Sequence, residues 1–276
     1  MQTIQSASEN MEQKKTSMIS VVIRTKNQSA ALDFALKNLT ERYCKSISEI
    51  IVIDNESTDN SKEIVEKYDA RFVTIKNFSY GGSANLCAKE AKYPIVVIFS
   101  AHSYPISHDF FELIQQKFEQ NPNLAGLRCL HNPNDYKNYI NKVSVLTDPN
   151  KSGLIFSGSA FSRLVWERHP FKEDVATFED KEWTTRVVKN GYEIDFVPSI
   201  FCYEIKRTRK QQFFRFKNDV VGNYELWHQD IKFVNVVNGL IGSIYYLLQN
   251  LVTDLWYILM RFLFLIKFII SKPKSR

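Results

Sequence analysis

The chain has 276 residues, 44% of them hydrophobic and 24% charged, with a formal net charge of +6. That is long enough for one large domain with a core, with or without an appendage, and the composition excludes wholesale disorder. Cys44, Cys87, Cys129 and Cys202 form no C-x-x-C pair, which argues against a zinc site or a disulfide framework and for a reduced, cytoplasmic setting.

Residues 1–17 are polar with no apolar run of the signal-peptide type, so a frayed, disordered N-terminal extension is expected. Residues 19–25 (I-S-V-V-I-R-T) read as a first strand, and residues 29–39, apolar at helical spacing, as the helix after it. Residues 49–61 (E-I-I-V-I-D-N-E-S-T-D-N-S) carry an apolar run into Asp54 and a polar turn, before a helical pattern over 61–67. An uninterrupted apolar run of this kind is the mark of a buried parallel strand, whose carboxyl end is where open α/β sheets bind ligands. Asp54, Ser57 and Asp59 are therefore candidate nucleotide contacts, although Asp59 equally suits a helix N-cap.

A third strand over 71–75 leads through Asn77, Gly81 and Gly82 into a helix over 83–91. The glycine pair suits either a close backbone approach to a ligand or a plain turn, and Asn85, one helical turn on, faces the same side. Pro94 introduces a fourth strand over 95–99. This alternation implies right-handed βαβ units and a mostly parallel, Rossmann-like sheet. Beyond Ser100 the rhythm changes to a helix over 108–120, a strand over 126–130 and a polar loop over 131–153, α+β material suited to a second substrate.

Five segments in this order resemble the inverting family 2 glycosyltransferases of the GT-A fold, over residues 19–198. S-V-V-I-R-T-K-N, containing Arg24 and Asn27, is similar to the opening strand and its nucleotide-binding turn. The Asp54 segment is similar to the uridine-binding D-x-x-S-x-D motif, and N-F-S-Y-G-G-S-A-N to the turn carrying Asn77, Gly81 and Asn85. F-S-G-S-A-F-S, containing Gly158, followed by F-E-D-K-E-W, resembles the acceptor-side segment with its E-D motif. The resemblance implies Asp180 as the general base, Glu179 as a residue orienting the loop or acceptor, and Trp183 as an apolar platform for a sugar.

One departure is plain. Where relatives end the fourth strand with the D-x-D motif that holds a divalent cation, this chain has Ser100, Ala101 and His102. A Ser/His pair is a poor cage for Mg2+ or Mn2+. Either His102 coordinates a weakly held metal with help from Glu204 or His228, or metal is absent and His102, Arg24 and the basic run of Lys206, Arg207, Arg209 and Lys210 supply the positive charge. His102 as a structural histidine, and an inactive relative, are further alternatives.

Residues 206–217 interleave cations with Phe213, Phe214 and Phe216, a mixture that suits a phosphorylated or lipid-phosphate ligand; no nucleic-acid partner is expected. Residues 233–253 carry no charge, and 255–270 are apolar apart from Arg261 and Lys267. Asn250, Asp254, Tyr257 and Arg261 share a helical face, which suits helices lying in, or re-entering, a membrane surface, the alternative being a buried helical hairpin or a homodimer contact. The expected organisation is a GT-A domain over 18–230 and membrane-associating helices over 231–276, at the cytoplasmic face of a bacterial inner membrane. The expected reaction moves a sugar from a nucleotide sugar donor to a lipid-linked or other cell-surface glycan acceptor. A nucleotidyltransferase is the rival, but residues 25–30 lack its glycine-rich G-x-G-T loop.

Overall fold

The computed structural model describes residues 17–175, 177–205 and 207–272. The expected N-terminal extension, apart from Ser17, lies outside them, as do Lys206, Lys274 and Arg276. The described chain forms two compact units, one ending at Gly222 and the other beginning at Asn223.

Four apolar runs become adjacent parallel strands: β1 (Ile19–Thr25), β2 (Glu49–Asp54), β3 (Arg71–Thr74) and β4 (Ile95–Ser100). Between them lie α1 (Ser29–Arg42), α2 (Ser61–Glu66) and α3 (Tyr80–Glu90). The chain continues as β5 (Ser103–Pro105), α4 (Phe110–Gln120), β6 (Leu124–Leu130), α5 (Pro133–Ile140), α6 (Pro149–Ser152), β7 (Ser159–Ser162), α7 (Arg163–Arg168), α8 (Glu179–Lys189) and β8 (Glu193–Tyr203). The sheet order is β3-β2-β1-β4-β7-β6-β8-β5, with β7 antiparallel to both β4 and β6.

The central strands read as continuous apolar runs because both faces of the sheet are covered. Val21 and Ile23 of β1 pack into one core with Leu32 and Leu36 of α1 and with Phe110, Phe111 and Ile114 of α4. Val22, one residue out of phase, joins Ile51 and Ile53 in a second core with Ala84 and Cys87 of α3 and Trp183 and Val187 of α8. The period of two along a strand thus feeds two layers. Each fully buried Val or Ile contributes on the order of 1.5–3 kcal/mol.

Two parts differ from the sequence expectation. First, α3 starts at Tyr80, three residues early, because Ser79 Oγ accepts from Gly82 N and caps the helix there. Second, residues 131–153, expected as a loop, contain α5 and α6; Asn132 and Asp148 cap them with side-chain oxygens, and each has a proline in its first turn. Residues 209–217 of the basic run form the start of α9 (Arg209–Trp227).

The second unit is dominated by α10 (Phe233–Ile270), 38 residues with none buried, about 57 Å long at the usual rise. It is one uninterrupted helix, so the helical hairpin and the re-entrant turn weighed from the sequence are not formed. Positions 235, 239, 243, 246, 250, 254, 257 and 261, spaced by four or three, carry Asn, Gly, Ser, Tyr, Asn, Asp, Tyr and Arg. That spacing draws one polar stripe along a broadly apolar helix. Among the described residues no helix is long and apolar enough to cross a membrane.

Candidate active site

Strand register brings the first group of site residues to one edge of the sheet. Thr25 lies opposite Asp54, and Arg24 lies between Ile53 and Ser100. Asp54 is 3% exposed; its Oδ2 accepts from Ser57 N at 2.8 Å and so fixes the turn after β2. Its Oδ1 and the neighbouring Thr25 Oγ1 are buried with no hydrogen-bond partner among the described residues. A buried carboxylate oxygen without a donor costs about 1–3 kcal/mol or more, and a base N–H or ribose hydroxyl is the kind of group that satisfies it.

Asn27, Ser57 and Asp59 build this edge from within. Asn27, in the left-handed region at φ 50°, donates its N–H to Ser57 Oγ at 2.8 Å, and its side-chain oxygen accepts from Thr58 N at 2.7 Å. Asp59 accepts from Ser29 N at 2.9 Å and from Ser61 Oγ at 2.6 Å, tying the turn to the start of α1. Partial burial opposes its charge, but hydrogen bonds from Ser61 and Ser29 outweigh that and hold the carboxyl below its ordinary range. These bonds give Asn27 and Asp59 a scaffolding role in the turn.

At the end of β4, three hydroxyls interlock. Ser103 Oγ donates to Ser100 O at 2.9 Å, Ser103 and Ser157 Oγ lie 2.7 Å apart, and Ser100 and Ser157 Oγ 3.0 Å apart. His102 Nε2 is 3.3 Å from Ser100 Oγ, while its Nδ1 is 2.7 Å from Gln28 Oε1. With the amide oxygen toward the ring, Nδ1 carries the proton and Nε2 keeps its lone pair. Burial, then the cations of Arg207 and Arg24, push the His102 pKa down to about 4. His102 is therefore neutral near pH 7 and does not supply the positive charge expected of it.

This donor set does not fit Mg2+ or Mn2+, which favour anionic oxygen. Among the described residues no three His, Cys, Asp or Glu side chains gather as a metal site. Glu204 and His228, weighed as helpers, join no such group among the described residues.

The third group sits at the start of α8. Phe178 caps the helix in the left-handed region at φ 65°, a conformation that costs a bulky residue on the order of 1–3 kcal/mol and tends to occur at functional sites. It delivers Glu179 and Asp180 to the positive end of the helix dipole. Asp180 is half-buried; Oδ2 accepts from Phe156 N at 2.9 Å and Oδ1 from Lys181 N at 2.8 Å. A carboxylate has about four acceptor positions, so lone pairs remain for an acceptor hydroxyl. Glu179 is 4% exposed, with Oε1 3.9 Å from Arg24 Nη1. Burial and the adjacent Asp180 charge raise its pKa to about 7 against the pull of Arg24.

Arg24, together with residues that no sequence motif identified, holds this geometry. Arg24 donates to Ser83 Oγ at 2.8 Å, and its guanidinium lies 3.6 Å over the Phe156 ring. Lys181 Nζ donates to Gly153 O at 3.1 Å and Asn150 O at 3.2 Å, and Leu154 N donates to Thr184 Oγ1 at 3.1 Å. With Phe156 N on Asp180, these bonds lace residues 150–156 to the first turns of α8.

Several expected contacts are redirected. Trp183 is wholly buried, stacked on Phe171 at 5.0 Å and donating to His169 O, so it is core and offers no platform to a sugar. Asn85 donates to Phe171 O and Glu173 Oε1 and accepts from Trp166 Nε1 and Phe171 N, using its amide as a clasp. A Cβ on Gly81 would lie 1.9 Å from Lys172 O, so the close approach there is to the protein's own backbone. Gly158, at φ 75°, is packed under the Phe201 ring and presents no surface to an acceptor. Asn77 is exposed on the loop before α3.

The sequence profile of glycosyl transferase family 2 matches residues 20–173, more than half of the chain. The chain belongs to that family. The family 2 assignment makes it a glycosyltransferase with a GT-A-type α/β fold. It is 24% identical over 233 residues to the dolichyl N-acetyl-alpha-D-glucosaminyl phosphate 3-beta-D-2,3-diacetamido-2,3-dideoxy-beta-D-glucuronosyltransferase of Methanococcus voltae, covering 71% of this chain and 70% of that one. It is 33% identical over 174 residues to chondroitin synthase of Pasteurella multocida (strain Pm70), covering 56% of this chain and 17% of the relative's length. Its fold matches the mannosyltransferase PcManGT from Pyrobaculum calidifontis in complex with GDP-Man and Mn2+, with TM-score 0.61 at 20% identity, covering 79% of this chain and 66% of that one. It also matches the glucosyl-3-phosphoglycerate synthase from Mycobacterium tuberculosis in complex with Mn2+ and UDP-Glc, with TM-score 0.59 at 15% identity, covering 77% and 79%.

Proposed function

We propose that this family 2 protein is an inverting glycosyltransferase that moves a sugar from a nucleotide diphosphate donor to a lipid-linked or other cell-surface glycan acceptor. The observation carrying the reading is the pairing of two groups. Asp54, with a buried unpartnered oxygen, lies at the carboxyl edge of the sheet, and Asp180, a half-buried carboxylate with spare lone pairs, lies at the start of α8. Asp54 and Thr25 hold the nucleoside, and Asp180 takes the acceptor hydroxyl's proton as that oxygen attacks the anomeric carbon from the face opposite the leaving nucleotide. One displacement at that carbon inverts its configuration.

The acceptor class is supported by the relatives, whose names specify a dolichyl-linked sugar and chondroitin. A membrane-surface location, at the cytoplasmic face, is supported by α10, whose exposed apolar side chains, single polar stripe and Arg261 and Lys267 suit a helix lying in a lipid interface. Incubation with a panel of nucleotide sugars, reading nucleoside diphosphate release and the anomeric configuration of the product by NMR, tests the reaction. An α-linked donor gives a β-linked product on this reading; a retained configuration overturns the inverting mechanism, and no release from any donor overturns transfer. Flotation with anionic vesicles tests the location, and a chain that stays at the bottom of the gradient rejects it.

A further inference from the structure

The end of β4 carries no carboxylate of its own at residues 100–102, and two arginines approach it. The atoms there are three serine hydroxyls, committed largely to one another, and a neutral imidazole held by Gln28. Arg24 is the cross-strand neighbour of Ser100, and Ala101 N donates to Arg24 O at 2.9 Å. On the other side, Tyr203 packs edge-on against His102 at 4.9 Å, and Arg207 donates to the Tyr203 hydroxyl at 3.3 Å. The Arg24 guanidinium itself lies over the Phe156 ring, next in the chain to Ser157 of the hydroxyl cluster, so one guanidinium approaches the Ser100–His102 strand end from the Phe156 side and the other from the Tyr203 side.

A divalent cation entering here would meet neutral side chains on the strand end and two like charges beside it; Glu179 lies 3.9 Å from Arg24 and Glu204 N donates to His102 O, but among the described residues no three acidic, His or Cys side chains gather to hold a cation. A diphosphate would meet the reverse. Guanidinium groups bind phosphate oxygens through paired, charge-assisted hydrogen bonds and keep their charge at any working pH.

We propose that the donor's diphosphate is held at the Ser100–His102 strand end by Arg207 and Arg24, and that these cations replace a divalent metal in stabilising the leaving group. The inference rests on the donor reading given under Proposed function. In the step itself, the acceptor oxygen forms a bond to the anomeric carbon as the bond from that carbon to the diphosphate oxygen breaks. The bonding pair stays on the diphosphate, the acceptor's proton passes to Asp180, and the added negative charge develops between the two guanidinium groups. Gln28 acts as a positioning residue: it fixes the His102 tautomer, so Nε2 accepts from Ser100 and keeps the hydroxyl cluster closed.

The test is calorimetric titration of the full chain with UDP and with GDP, in excess EDTA, in Mg2+ and in Mn2+. Whichever nucleotide binds is expected to show a dissociation constant constant within about twofold across the three conditions, and Arg207→Ala is expected to weaken it about tenfold or more in each, as loss of a charge-assisted phosphate contact does. Chelation that weakens binding by about tenfold, a full 1.4 kcal/mol, overturns the inference while leaving the donor reading intact. Arg207→Ala without effect overturns it equally. If neither nucleotide binds in any condition, the donor reading falls and takes this inference with it. The S100D/H102D variant supplies the converse: restoring carboxylates is expected to make binding tighter in Mn2+ than in EDTA, and a variant that stays folded by circular dichroism yet remains indifferent to Mn2+ counts against the strand end as the diphosphate site.

Discussion

Glu179→Gln separates the two neighbouring acids at the start of α8. Glu179 is buried, next to Asp180 and 3.9 Å from Arg24, and its pKa is raised from 4.5 to about 7. In the folded protein it keeps its proton to near neutrality, whereas in the unfolded chain it releases it near its ordinary value. Between those limits the native state binds more protons than the unfolded state, so stability falls as pH rises. The contribution is full below pH 4.5, is lost through the interval, and is gone above about 7. An elevation of that size corresponds to about 3 kcal/mol, and the part lying between pH 5 and 8 to about 2–3 kcal/mol. Glutamine keeps the shape and cannot ionise, so the variant should gain on the parent by that amount across the window. Lys181, whose pKa burial lowers to about 8, is present in both proteins and cancels from the difference. The assay is urea denaturation of both proteins at several pH values from 5 to 8. A stability difference that stays constant over that range refutes the picture of a protonated Glu179.

Three further predictions follow from the packing. Asp54→Asn should weaken nucleoside diphosphate binding by about 10–100-fold, the worth of a hydrogen bond to a charged group, with the melting temperature little changed; calorimetry reads the affinity, and an unchanged dissociation constant removes Asp54 from the donor site. Gly81→Ala drives a Cβ to within 1.9 Å of Lys172 O, so it should destabilise the fold toward the upper end of about 1–3 kcal/mol while the folded fraction binds nucleotide normally; a selective loss of nucleotide affinity would instead make Gly81 a ligand contact. Gly222→Ala brings a Cβ to 2.5 Å from Thr177 Cγ2 and 2.7 Å from Phe178 Cδ2. Displacing the cap of α8 should lower kcat more than nucleotide affinity, and steady-state kinetics showing both unchanged would contradict that coupling.

How much of this was legible in the sequence depended on the range of the interactions. The central strands were readable nearly to the residue, because a strand buried on both faces has an uninterrupted apolar run such as residues 50–53 or 95–99. Local chemistry was readable where it was noticed: Asp54 at a strand end looked like a ligand contact and sits in a buried, unsatisfied position. The caps of α5 and α6 carried a clear signal, Asn132-Pro133 and Asp148-Pro149, hidden by a composition that otherwise reads as loop. Long-range partnerships left no such trace. Asn85 gives its amide to Phe171, 86 positions away, and Lys181 closes on Gly153 at a separation of 28. Helical spacing shows which side of a helix a polar residue occupies, not whether a ligand or a distant segment meets it. Trp183 misled for the same reason, since an aromatic beside an acidic pair suits a sugar platform and a core position equally.

The central claim is that Asp180 removes the acceptor's proton in transfer from a nucleotide sugar, and Asp180→Asn tests it most directly. Asparagine keeps the side-chain oxygen that Phe156 N–H requires but loses the basic lone pairs. Nucleoside diphosphate release in the presence of acceptor, measured beside nucleotide binding on the same preparations, is predicted to fall by about 100-fold or more with affinity for nucleotide preserved. Turnover near that of the unmodified chain would contradict the account.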